Sequence, residues 1–272
     1  MKAMRPLLGT FVEIEVKTAC QNKADAAMAA AFAAIELVQR LMSIFEPSSD
    51  ISRINAKAHI APQKIDPWTA HILAIATDLH VRTDALFDCA IAPHLAKWGL
   101  LPEGEAAPQS SLSHLQLEDT QVSAILPVRL DLGGIAKGFA VDRAIDAIRA
   151  HGVSDACINA GGDLRVMGAF EEAIHLRDPA DPQLLRFAGT LKDGAIATSA
   201  TYYSRRDYEG REVSALVDPR NGEPLVTRNS YSVIAPLCCH ADALTKVLAI
   251  SDNPDHPCFA HYSASTVILR AS

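Results

Sequence analysis

The chain has 272 residues, of which 49% are hydrophobic and 21% are charged. These values are typical of a globular protein with a sizeable core, and they exclude disordered, collagen-like and fibrous proteins. The formal net charge of -7 shows no strongly basic footprint, so we expect no nucleic-acid partner. No apolar run is long enough to span a membrane, and no signal peptide precedes the first strand, which predicts a cytoplasmic protein.

The first half of the chain predicts one strand, two helices and a surface excursion. Residues 11–17 alternate between apolar and polar side chains, as a half-buried strand does. From 23 to 45, apolar residues recur at every third or fourth position, which predicts a long amphipathic helix that ends in a loop. Thr69 is a predicted cap for a second helix that continues to Arg82. Proline, glycine and serine between 99 and 117 predict the excursion.

The second half predicts short strands between two more helices. We expect strands at 122–126 and 129–132, then a helix over 137–151 with Gly152 as its stop. Short β segments follow as far as Pro236, and the last helix is predicted over 241–250. Because strands and helices alternate without a regular βαβ repeat, the pattern favours an α+β fold.

Residues 131–142 are the segment that most strongly suggests chemistry. A predicted strand runs into Gly133 and Gly134, and Lys137 begins a helix. Glycine amides and a helix N-terminus suit a phosphate or pyrophosphate, although the segment is neither a Walker A loop nor GxGxxG. A tight strand-to-helix turn with a solvated lysine explains the same residues.

Three further segments allow both a structural and a functional interpretation. The glycine pair in residues 159–163 predicts a hairpin turn, with a ligand site as the alternative. Thr198 follows a predicted strand and is either an ordinary strand end or a source of hydroxyl ligands. Asp242, in the predicted first turn of the last helix, is either a capping carboxylate or an oxygen ligand for a hard cation such as Mg²⁺.

In this order along the chain, the segments resemble the ApbE family, the FAD:protein FMN transferases. The resemblance covers nearly the whole chain. Besides residues 131–142 and 159–163, it includes the following segments: 5–10, 41–45, 49–55, 86–88, 98–99, 197–199, 218–222 and 241–244. It implies an α+β fold of mixed sheets with flanking helices, in a single domain over residues 1–272 whose two closely packed halves share a cleft.

The resemblance also implies an activity. Members of the family bind FAD and a divalent cation, usually Mg²⁺, and transfer the FMN half to a Thr or Ser hydroxyl of a partner flavoprotein, releasing AMP. Two alternatives stay open: an FAD pyrophosphatase that forms FMN and AMP, and a flavin-binding protein that has lost catalysis. Many relatives are exported lipoproteins, so the predicted cytoplasmic location is a departure.

By position, the resemblance implies a set of site residues. Lys137 and Asp242 would be catalytic, and the carbonyl of Gly134, the carboxylate of Asp242 and the hydroxyl of Thr245 would bind the metal. The residues expected to contact the flavin nucleotide are Phe45, Leu86, Phe87, Asp88, Asp131, Lys137 and Thr198.

Several residues depart from the family pattern. The family's last metal ligand is a threonine four residues after the aspartate, where this chain has Lys246. Thr245 shares that helix face and is one replacement, while a Lys246 ammonium in place of the cation is the other. Ala215 stands where the family often has a histidine, and Leu86 and Ala200 add bulk beside the proposed ligand.

Overall fold

A computed structural model describes residues 1–202 and 204–271, and the chain is divided between two compact units. Unit 1 comprises residues 1–39, 137–200 and 228–272, and unit 2 comprises residues 40–136 and 201–227. Within the described ranges, no helix combines the length and apolar character that a membrane crossing requires.

Helices and strands alternate irregularly along the chain. In chain order they are β1 (Lys2–Leu7), β2 (Thr10–Lys17), α1 (Gln21–Met42), α2 (Asp50–Lys57), β3 (Gln63–Lys64), α3 (Pro67–Arg82), α4 (Ala92–Lys97), β4 (Leu115–Glu118), β5 (Gln121–Ala124), α5 (Ala136–Ala150), β6 (Asp155–Ala160), β7 (Asp163–Arg177), β8 (Leu185–Ala200), β9 (Arg206–Tyr208), β10 (Arg211–Val213), β11 (Val217–Asp218), β12 (Glu223–Pro224), β13 (Ser230–Ala235), α6 (Cys238–Ser251), α7 (Pro257–His261) and β14 (Ser265–Leu269). This order confirms the α+β class.

Unit 1 is built on a seven-stranded antiparallel sheet with the order β1-β2-β6-β7-β8-β13-β14. The predicted alternation is confirmed in β2, where Val12, Ile14 and Val16 are fully buried. Helix α6 packs against β7, β8 and β13. The sheet therefore provides the rigid surface on which the last long helix lies.

A two-residue hairpin joins β6 to β7. Gly161 and Gly162 have φ angles of 65° and 104°, which only glycine adopts without strain. The glycine pair is thus a hairpin turn, as one of the two interpretations of this segment predicted. The hairpin places Asp163 at the first position of β7.

Unit 2 contains a three-stranded sheet of order β3-β5-β4 and two short ribbons, β9 with β10 and β11 with β12. Helices α2, α3 and α4 belong to this unit. One of its apolar clusters consists of Leu95, Trp98, Val213 and Val217.

The predicted strand at 129–132 is wrong. Residues 129–132 belong to no helix or strand. Arg129 N–H donates to Ser110 Oγ at 2.9 Å, Leu130 N–H to the Asn55 side chain at 2.7 Å, and Asp131 N–H to the Cys89 carbonyl at 2.7 Å. Side chains and a loop carbonyl therefore take the place of a neighbouring strand, which local pattern alone does not reveal.

The four predicted helices are present as α1, α3, α5 and α6 with ends that differ by a few residues, whereas α2, α4 and α7 lie where no helix is predicted. Helix α3 begins at Pro67 with Asp66 as its cap, because Asp66 accepts from Trp68 N–H at 2.8 Å, so Thr69 lies inside the helix. Helix α2 begins at Asp50, where a loop was predicted. Helix α6 begins at Cys238, which places Asp242 beyond the first turn.

A close approach joins the N-terminal turn of α5 to the N-terminus of α6. A Cβ atom on Gly138 would lie 2.3 Å from the carbonyl oxygen of Cys238. Real Cβ atoms do not approach a backbone that closely, so only glycine fits at this position. Gly138 is accordingly a packing residue, although it stands in a glycine-containing motif.

We expect Gly138→Ala to destabilise unit 1 by about 2 kcal/mol, because one backbone must move to accommodate the methyl group. This outcome opposes the gain of roughly 1 kcal/mol that alanine normally brings to a helix. Urea denaturation measures the change. Gly194→Ala is the matched control, since its added Cβ would make only ordinary contacts, the nearest at 3.5 Å. Equal stability of the two variants would contradict the packing role.

Candidate functional site

Two lysines and two aspartates come together in unit 1 and form what we call the charge cluster: Lys137, Asp163, Asp242 and Lys246. The Lys137 ammonium contacts the Asp163 carboxylate and lies 3.6 Å from Asp242 Oδ2. The Lys246 ammonium contacts Asp242 Oδ1 and lies 3.0 Å from the Asp242 carbonyl oxygen. Both carboxylates are almost completely buried, whereas the two lysine side chains keep 32% and 18% of their surface exposed. The exposed side of the cluster is therefore its cationic side.

Separate elements deliver these four residues. Lys137 is the second residue of α5, Asp163 is the first residue of β7, and Asp242 and Lys246 are one turn apart on α6. The spacing of four residues places Asp242 and Lys246 on the same face of the helix. The structure thus places Lys137 and Asp242, the two residues expected to be catalytic, next to each other, and their catalytic roles stay predictions.

The start of α6 is held by a carboxylate from another helix. Leu237 makes no side-chain cap, and instead Asp142 of α5 accepts from the N–H groups of Cys238 and Cys239, both at 2.9 Å. The guanidinium of Arg165 donates to the same carboxylate at 2.6 Å. Asp142 therefore fixes the N-terminus of α6, and with it the position of Asp242.

The electrostatics of the cluster follow from burial and charge. Burial alone would lower the pKa of Lys137, but the carboxylates of Asp163 and Asp242 raise it well above its ordinary value. Burial and the Asp242 charge raise the pKa of Asp163 to about 6, against the opposing effect of Lys137. Burial likewise opposes ionisation of Asp242, but Lys137 and Lys246 together outweigh it and lower its pKa. Asp242 is thus the carboxylate held ionised by two ammonium groups.

Thr245, a predicted metal ligand, is fully buried in unit 1. Its hydroxyl lies 2.6 Å from the Asp242 carbonyl oxygen, to which it donates, and 2.6 Å from Ser199 Oγ. A hydroxyl has one proton to donate, so these two contacts account for its donor and one of its lone pairs. Thr198, predicted to contact the nucleotide, lies on the same strand as Ser199, and its hydroxyl is 2.7 Å from Ser232 Oγ.

The remaining predicted residues belong to unit 2. Asp131 accepts from Gly133 N–H at 3.1 Å, and Ile135 N–H donates to the Leu132 carbonyl at 3.0 Å, which closes the turn that contains Gly134. Phe45 is 68% exposed, whereas Leu86 and Phe87 are buried. The predicted flavin contacts of these residues, and metal ligation by Gly134, stay predictions.

Asp88 organises the loops of unit 2. Its buried carboxylate accepts from Ala90 N–H at 2.7 Å, Ser111 Oγ at 3.0 Å and Leu112 N–H at 3.2 Å. His80 Nδ1 lies 3.3 Å from the same carboxylate and 3.2 Å from the Phe87 carbonyl, so this nitrogen donates. The contacts of Asp88 are those of a structural carboxylate that holds residues 86–90 against residues 111–112.

Asp163 is the member of the cluster that the sequence did not single out. In the sequence it is only the last residue of the glycine-containing segment 159–163. The available signal was its place directly after a hairpin on a predicted strand, which is weak because most such aspartates are solvated. Its pairing with Lys137, 26 residues earlier, becomes visible only in the structure.

Comparison with known proteins identifies the family. A sequence profile described as the ApbE family matches residues 8–267. The chain belongs to the ApbE family. A protein of Klebsiella pneumoniae (strain 342) named FAD:protein FMN transferase is 30% identical over 80% of this chain and 73% of its own length. A protein of the same name from Rhodobacter capsulatus is 28% identical over 97% of this chain, which spans only 54% of that relative.

Solved structures share the ApbE fold with this chain. The ApbE protein of Thermotoga maritima superimposes with a TM-score of 0.86, covering 100% of this chain and 97% of its own, at 24% identity. The flavinyl transferase ApbE of Pseudomonas stutzeri in its apo form gives a TM-score of 0.79 at 22% identity, with coverage of 92% and 84%. At these identities the likeness establishes the fold.

The contact between His80 and Asp88 predicts that the stability of the fold depends on pH. The hydrogen bond to Asp88 raises the pKa of His80, although burial opposes it. The imidazolium therefore stabilises the fold fully below the unfolded pKa of about 6.5, and this contribution is lost as the pH rises through the higher folded value. We expect the urea midpoint of the wild type to fall between about pH 6 and about pH 8.5, and to fall less in His80→Gln.

The matched control for this measurement is His151→Gln, since His151 is exposed at the end of α5. It should keep the wild-type slope of stability against pH. A His80→Gln variant with an unchanged slope would show that the pair with Asp88 does not titrate in this range.

Proposed function

We propose that this protein transfers the FMN half of FAD to a Thr or Ser hydroxyl of a partner flavoprotein and releases AMP. Family membership over residues 8–267 supports this activity, as do relatives named FAD:protein FMN transferase. The observation that carries it is the charge cluster, where two lysines expose their cationic side above buried carboxylates. A diphosphate is the part of FAD that such a surface binds.

The reaction needs little covalent chemistry from the protein. The acceptor hydroxyl oxygen forms a bond to the FMN phosphorus, the bond from that phosphorus to the bridging oxygen breaks, and AMP leaves with that oxygen. The hydroxyl proton is released as the new phosphoester forms. Negative charge grows on the leaving phosphate, so fixed cations near it stabilise the transition state. Lys137 and Lys246 supply those cations.

Magnesium, which the resemblance implies, fits this cluster poorly. Asp242 Oδ1 is in contact with the Lys246 ammonium, and Asp242 Oδ2 accepts from Gly138 N–H at 3.2 Å and faces Lys137. The Thr245 hydroxyl donates within its own helix. Among the described residues, no three His, Cys, Asp or Glu side chains are grouped to hold a metal ion. No step of the proposed reaction is assigned to a divalent cation.

The direct test combines the purified protein, FAD and the apo-domain of a flavoprotein that carries phosphoester-linked FMN. Mass spectrometry of the acceptor should show the addition of one FMN, with AMP as the second product. AMP and FMN without a labelled acceptor would identify an FAD pyrophosphatase instead. Bound FAD with neither product would identify a flavin-binding protein. Failure to bind FAD would overturn the proposal.

We expect Lys137→Met to lower the rate of FMN transfer by about 10²- to 10³-fold, because a preorganised cation is removed from the developing charge. The rate is followed by release of AMP. Lys192→Met is the matched control, since Lys192 forms an exposed ion pair with Glu171 and should leave the rate unchanged. A wild-type rate in Lys137→Met would remove this residue from the mechanism.

A further inference from the structure

We infer that Lys246 is the built-in cation of this site, so that the protein binds the diphosphate of FAD without a divalent metal ion. This inference rests on the proposed function for the identity of the ligand. It begins from one contact: the Lys246 ammonium lies against Oδ1 of Asp242, the position where a cation bound to this carboxylate would lie.

The charge balance of the cluster supports this assignment. Asp163 and Asp242 bring two negative charges, and Lys137 and Lys246 bring two positive charges, so the buried carboxylates are already neutralised. Buried carboxylates require such compensation, because an unpaired charge away from water is strongly unfavourable. With both lysines in place, a divalent ion at Asp242 would face two ammonium groups and give the cluster an excess of two positive charges.

The geometry leaves the lysines able to bind an anion. An ammonium has three N–H donors, and the contacts of Lys246 with Asp242 involve two acceptor oxygens. Its side chain is 18% exposed and that of Lys137 is 32% exposed, while the carboxylate beneath is only 1% exposed. An incoming diphosphate therefore meets ammonium groups and not carboxylate oxygens.

Thr245 does not provide an equivalent metal site. Its hydroxyl is fully buried, donates to the Asp242 carbonyl and contacts Ser199 on the sheet. These two contacts leave the hydroxyl a single lone pair, and the side chain has no exposed surface. The Lys246 ammonium is the group on this helix face that contacts the Asp242 carboxylate, so the choice between the two replacements falls on Lys246.

The first test needs no variant. FAD affinity of the wild type is measured by quenching of flavin fluorescence, once in EDTA and once with excess Mg²⁺. We expect the two dissociation constants to agree within about twofold. Binding that appears only with Mg²⁺ would overturn the inference and leave the proposed function standing. No binding under either condition would overturn both.

The second test uses Lys246→Thr, which leaves the cluster with one uncompensated negative charge. In EDTA we expect FAD binding to weaken on the order of 10- to 100-fold, the loss of one charge-assisted contact. Mg²⁺ should restore it, and Mn²⁺ binding, read by electron paramagnetic resonance in the absence of FAD, should appear in the variant but not in the wild type. If the wild type binds Mn²⁺ and its affinity for FAD depends on that ion, the inference is contradicted.

Lys192→Thr is the matched control, because it also removes one lysine from unit 1. Lys192 forms an exposed ion pair with Glu171, at a distance of 3.3 Å. It should keep metal-independent FAD binding and should not acquire Mn²⁺ binding. Circular dichroism of both variants shows whether they are folded. If Lys246→Thr does not fold, the comparison of EDTA with Mg²⁺ in the wild type still decides the question.

Discussion

The arrangement of unit 1 depends on a reciprocal interaction in which each of two helices supplies a carboxylate to N–H groups in the first turn of the other. Asp142 of α5 accepts from the free N–H groups of Cys238 and Cys239 at the start of α6, and Asp242 of α6 accepts from Gly138 N–H at the start of α5. Each helix satisfies donors that the other cannot bond internally. Because both carboxylates are buried, neither contact can be exchanged for water without a large penalty.

This mutual capping determines where charge accumulates. It buries Asp242 beside the hairpin that carries Asp163, and two buried carboxylates in one place require cations. Lys137 lies at the start of α5, and Lys246 lies one turn after Asp242 on α6. The two helices that bury the carboxylate of Asp242 therefore also carry the lysines that neutralise its charge. Under the proposed function, the ligand of this neutralised, cation-faced surface is the diphosphate of FAD, and the departure at Lys246 indicates how this chain would bind it.

The strands and helices that depend on a single local sequence rule were predictable. Alternation predicted β2, three- and four-residue periodicity predicted α1, and Gly152, with a φ of 72°, ends α5 as expected. Thr69 failed as a cap because Asp66, just before a proline, was the better acceptor. The strand predicted at 129–132 failed because its backbone partners are Ser110, Asn55 and Cys89, which no local pattern connects to it.

The sequence by itself determined the fold class, the family and the chemistry of the separate pieces: a glycine-rich turn before Lys137, a hairpin before Asp163, and Asp242 and Lys246 on one helix face. Only the tertiary structure decided that these pieces form a single charge cluster and that Asp163 belongs to it. The reason is that the deciding contacts join residues far apart in the chain, such as Gly138 with Asp242, separated by 104 positions. Burial and charge compensation act on the folded arrangement, so they are invisible to any rule that considers a few neighbouring residues.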